Sequence, residues 1–75
     1  MTAAQHTPGP ATVRRWRLMR AELKVRALES LEKARAARLS GQRHEAFVYA
    51  DWAASDRRRA AWFGAAIAKA EGSAS

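Results

Sequence analysis

Apolar residues recur along residues 12–39 in two helical stripes at once. Winding the stretch at about 3.6 residues per turn brings Val13, Trp16, Met19, Leu23, Ala27, Ser30, Leu31, Ala34 and Ala37 to one side. Leu18, Ala21, Val25, Leu28, Ala36 and Leu39 form a second stripe. A helix with one apolar face needs one neighbour; this one needs two. Of the two ridges between the stripes, one mixes signs (Arg15, Glu22, Arg26, Glu29, Lys33). The other carries Arg17, Arg20, Lys24, Arg35 and Arg38 and no acid.

The ends of this helix follow from local chemistry. Pro8, Gly9 and Pro10 oppose regular structure, so residues 1–11 are expected to form a flexible tail, with Thr12 as N-cap of a helix over 12–39. Within it no glycine or proline intervenes, and Glu22 with Arg26 and Glu29 with Lys33 are favourably oriented pairs four apart. Ser40, Gly41 and Gln42 make the break, Gly41 standing where helices end in a left-handed residue. A second helix is expected over 42–70, its apolar face formed by Ala46, Tyr49, Ala50, Trp52, Ala53, Ala60, Phe63, Gly64 and Ile67. Ser55 and Asp56 could cap a new helix, but the stripe stays in phase across them, which favours one continuous helix. Residues 72–75 are expected to fray.

A turn this short makes the helices antiparallel neighbours, so the fold class is all-α, a two-helix hairpin over residues 12–71. If the turn centres on Gly41, residues whose numbers total roughly 82 face each other: Trp16 with Ile67, Met19 with Phe63, Ser30 with Trp52, Ala34 with Tyr49. Trp16 and Trp52 are thereby core residues. Asp56 lies on the apolar stripe, where a lone carboxylate is expensive, and should pair with Arg26 or Arg59. A hairpin still leaves Leu18, Val25, Leu28 and Leu39 uncovered. The expected remedy is a homodimer, two hairpins making a four-helix bundle; a different protein supplying the missing helices is the alternative.

Composition narrows the function more than the fold. Seventy-five residues make one domain with a thin core. The absence of cysteine removes disulfides, thiolate metal sites and thiol nucleophiles, and with no apolar run near the roughly 20 residues of a membrane span the expected location is the cytoplasm. The net charge is +7, which draws nucleic acid, acidic protein or anionic lipid. Arginines dominate the cations, and their planar fork suits phosphates and carboxylates.

Catalytic chemistry has little to work with. His6 and His44 have no metal-binding spacing, the acids each have a cation nearby, no glycine-rich phosphate loop is present, and no serine is accompanied by a base and an orienting acid. No catalytic residue, metal, cofactor or small-molecule substrate is expected. The leading expectation is a basic, non-enzymatic accessory or regulatory factor that grips nucleic acid through Arg17, Arg20, Lys24, Arg35 and Arg38, with Arg58 joining them. Arg58 lies one turn before Trp62, so a cation–π contact is expected there, with Trp62 pointing outward into an interface alongside Leu18, Val25, Leu28 and Leu39. The alternative is an interaction module, an adaptor, inhibitor or small subunit, docking on an acidic protein. A membrane surface is the weakest candidate, because the stripes are alanine-rich and cations flank both.

Overall fold

The computed structural model describes residues 8–74 as two α-helices, α1 (Pro10–Leu39) and α2 (Arg43–Ala74), packed along each other, with no strand among the described residues. The helix boundaries differ from those expected. Pro10 rather than a residue after Thr12 opens α1, with Gly9 extended at the N-cap and its carbonyl accepting the Val13 N–H at 3.1 Å. Proline at the first helical position loses nothing, since its missing N–H has no partner there, and its fixed φ is already helical. At the other end α2 continues to Ala74, so residues 72–74 are helical rather than frayed. Residues 1–7, most of the expected tail, and residue 75 lie outside the described residues. Across Ser55 and Asp56, α2 is unbroken.

The turn is a complete left-handed cap. Gly41 has φ +80, its N–H reaches the Arg38 carbonyl at 3.1 Å, and the Gln42 N–H reaches the Ala37 carbonyl at 2.8 Å. These paired bonds satisfy carbonyls that the last turn of a helix leaves open. The Ser40 hydroxyl donates to the Ala36 carbonyl at 3.0 Å. With its backbone satisfied, the chain reverses in a few residues.

Burial then reveals a stricter period than 3.6. The inward positions of α1 are Val13, Trp16, Arg20, Leu23, Ala27, Ser30, Ala34 and Ala37, and those of α2 are Ala46, Tyr49, Ala53, Asp56, Ala60, Phe63, Ile67 and Ala70, each buried or half-buried. Both sets alternate spacings of three and four, the heptad seam of an antiparallel coiled coil. Facing residues have numbers totalling 83, so Arg20 stands opposite Phe63, Leu23 opposite Ala60, Ala27 opposite Asp56 and Ser30 opposite Ala53. Val13, Ile67 and Ala70 cluster at the far end with Trp16 against them.

This register corrects three residues expected on the inner stripes. Met19, Leu31 and Trp52 stand one position beside the seam, and Trp52 is 56% exposed. Arg20 and Ala53 occupy the seam instead. Arginine was assigned to the surface because of its charge, but a long stem can lie in a seam while its guanidinium reaches the edge. At Gly64 an added Cβ would stand 3.4 Å from the Arg20 Nε, which shows the head group lying across the glycine of α2. Among the described residues seven of the sixteen seam positions are alanine, and small residues let the backbones approach closely. The resulting rod measures 57 × 20 × 15 Å, with a radius of gyration of 16.8 Å where a compact chain of this length would have about 11 Å. Each helix therefore keeps its outer half in solvent.

Candidate nucleic-acid interface

A two-helix rod has two long sides flanking the seam, and their charges differ. On one side the heptad register sets Arg17, Lys24, Leu31 and Arg38 of α1 beside Ala50, Arg57, Gly64 and Glu71 of α2. On the other it sets Met19, Arg26 and Lys33 beside Glu45, Trp52, Arg59 and Ala66. The first side holds a single acid, Glu71, at its end. The second mixes signs.

An open groove of about 540 Å³ lies on the basic side, lined by Arg20, Lys24, Leu28, Leu31, Arg57, Ala60 and Ala61. Three cations rim an apolar floor, and among the described residues none of the three has an acidic partner within ion-pair distance. Arg35 and Arg38 extend the cations toward the turn, so from Arg17 to Arg38 the ladder runs about 31 Å along α1. Lys24, Arg35 and Arg38 lie on this side of α1, whereas Arg20, expected on the same ridge, stands in the seam and reaches the groove with its head group.

Two expectations change. Arg17 forms an ion pair with Glu71, so it is not a free cation. The acid comes from the other helix, which a reading of α1 alone does not see. Arg58 follows Arg57 by one residue and is therefore turned about 100° round α2, away from the groove. Arg57 takes the position assigned to it. The signal that finds Arg57 is the heptad phase of α2 carried through Asp56 and Ala60, which sets residue 57 beside the seam on the same side as Lys24.

Trp62 is exposed, as expected, but its ring has partners within the hairpin. It meets Trp16 edge-on at 6.1 Å and Phe63 at 5.0 Å, so it closes the open end of the hairpin against α1. The cation–π contact among the described residues is Lys33 over Tyr49, 5.9 Å from the ring centroid, rather than Arg58 over Trp62. Leu18, Val25, Leu28 and Leu39 remain exposed on the outer face of α1.

The mixed side holds Asp56. It is buried, and of its two expected partners it takes Arg59, at 3.8 Å. It borders a second groove shared with Arg26, Glu29, Ser30, Lys33, Trp52, Ser55 and Arg59. Ala27 opposite gives the carboxylate room. His44 is exposed near the start of α2, and His6 lies outside the described residues. No described helix is long and apolar enough to cross a membrane. Comparisons with protein-family models, curated proteins and solved structures find no significant match.

Proposed function

We propose that this protein binds nucleic acid without catalysing a reaction, as an accessory or regulatory factor, and does so as a dimer of hairpins. The observation that carries the reading is the one-sided charge: Arg20, Lys24 and Arg57 converge from two helices on one groove, with Arg35 and Arg38 continuing the line. A rod of this kind lies along a phosphate backbone, its affinity dominated by counterion release and indifferent to sequence. A cytoplasmic setting suits that role. The homodimer covers the outer stripe of α1, giving a four-helix assembly.

The experiment is fluorescence anisotropy with unrelated DNA and RNA duplexes across a salt series. Wild-type affinity should fall steeply with salt, and Lys24→Ala with Arg57→Ala should lower the slope of log affinity against log salt by about 2, since each phosphate contact contributes about 0.9. Thermal stability of the variant should match wild type. Absence of wild-type binding at low salt, or an unchanged slope in the variant, would overturn the assignment. A second reading, an adaptor for an acidic protein, is favoured by one feature, the apolar floor of Leu28 and Leu31 between the cations. It predicts binding to an acidic amphipathic peptide and none to either duplex.

A further inference from the structure

The outer stripe of α1 is itself a heptad seam. Arg14, Leu18, Ala21, Val25, Leu28 and Glu32 follow one another at spacings of four, three, four, three and four, and all six are exposed. Leu18 is 68% exposed, Leu28 64% and Val25 54%. The stripe centres about 150° round the helix from the seam with α2, so a partner there lies nearly opposite α2.

We infer that the occupant is a second copy of α1, packed antiparallel about a two-fold axis at the level of Leu23, with residues whose numbers total 46 face to face. In this register Leu18 meets the Leu28 of the other copy and Ala21 meets its Val25. Arg14 meets Glu32 at both ends of the apolar run, and Arg15 flanks Glu29. The charges select the register. Sliding by one heptad in one direction sets Arg14 against Val25, and in the other sets Ala21 against Glu32 and Leu18 against Arg35. A parallel pair would bring Arg14 onto Arg14 and Glu32 onto Glu32. Within one hairpin these groups have no such outlet, since Arg14 and Glu32 are about 27 Å apart on the same helix. The ion pairs among the described residues are Arg17 with Glu71 and Arg59 with Asp56. Lys24 and Glu22 each approach their own copy beside the axis, at solvated rim positions where like charge costs little.

This geometry deepens the proposed function, on which its second consequence rests. A two-fold axis perpendicular to a row of four helices keeps each basic side on the same face of the row. The groove of Arg20, Lys24 and Arg57 in one copy then continues into that of the other, giving a phosphate-binding surface two hairpins wide.

Sedimentation equilibrium without nucleic acid tests the register. Wild type should have the mass of a dimer, Val25→Glu that of a folded monomer by circular dichroism, and Arg14→Glu should weaken association roughly tenfold as two attractions become repulsions. Combining Arg14→Glu with Glu32→Arg should restore wild-type association. A monomeric wild type, a dimeric Val25→Glu, or a double variant as weak as the single one overturns the inference. Duplex binding by a monomeric wild type would leave the nucleic-acid reading standing while removing the dimer, and a restored dimer that binds no duplex would do the reverse.

Discussion

α1 carries two seams of the same period, and only one of them is covered. The seam against α2 includes Arg20 and Ser30 and relies on Ala27, Ala34 and Ala37, yet it is covered throughout. The outer stripe offers Leu18, Val25 and Leu28 and stays exposed. Both seams carry apolar side chains, so hydrophobicity alone does not decide which face turns inward here. Complementarity does: α2 presents Ala46, Ala53 and Ala60 at heptad spacing, and two lines of small residues approach closely, while Phe63, Tyr49 and Ile67 fill the wider layers.

The sharpest way to break this comparison is to truncate a leucine in each seam. Leu23 is buried opposite Ala60, where little could fill the space it leaves. Leu23→Ala should destabilise the hairpin by about 2–4 kcal/mol, enough to unfold a chain with so thin a core. Leu28→Ala at the same dilute concentration should change stability by less than about 0.5 kcal/mol. Thermal melts followed by circular dichroism distinguish them. Equal losses would show that the outer stripe is already covered at that concentration. Raising the concentration should then separate wild type from Leu28→Ala, because association stabilises only the species that dimerises.

The reverse substitution comes next in size. Ala53 is 0% exposed, opposite Ser30. Ala53→Leu adds three carbons where two backbones approach, and should cost about 1–3 kcal/mol in a denaturant titration. Ala21→Leu, the matching change in the outer stripe, meets only solvent in a single hairpin and should cost almost nothing. A tolerated Ala53→Leu would mean that the helices can separate locally and that close approach is not what selects the inner seam.

Much of the hairpin was legible in the sequence because its signals are local. Gly41, the uninterrupted run of helix formers and the in-phase stripe across Asp56 are each read from a few neighbouring residues, and each holds in the structure. Of the expected facing pairs, Trp16 with Ile67 and Ala34 with Tyr49 stand in register, while Met19 with Phe63 and Ser30 with Trp52 are off by one residue because polarity hid the markers there. Arg20 was counted with the surface and Trp52 with the core, and a shift of one position exchanges Met19 for Arg20 and Trp52 for Ala53. The basic groove was legible only on α1. Its completion by Arg57, and the neutralisation of Arg17 by Glu71, depend on which residues of α2 arrive alongside, and that follows from the register rather than from either helix alone.

The smallest expected effect bears on how tightly that register is held. Gly64 sits in the middle of α2, where glycine weakens a helix by about 0.5–1 kcal/mol relative to alanine. An added Cβ would lie 3.4 Å from the Arg20 Nε and 3.5 Å from its Cζ, against the mobile end of a long side chain rather than backbone. The guanidinium can shift by a few tenths of an ångström toward the open groove, so the gain in helix propensity should dominate. Gly64→Ala is thus expected to raise the melting temperature by about 2–6 °C, following the usual scaling for a chain of this size. A fall in melting temperature instead would show that Arg20 is clamped over the glycine. The inner seam would then owe its register to that single contact as much as to its alanines, and the contrast with the outer stripe would rest on Arg20.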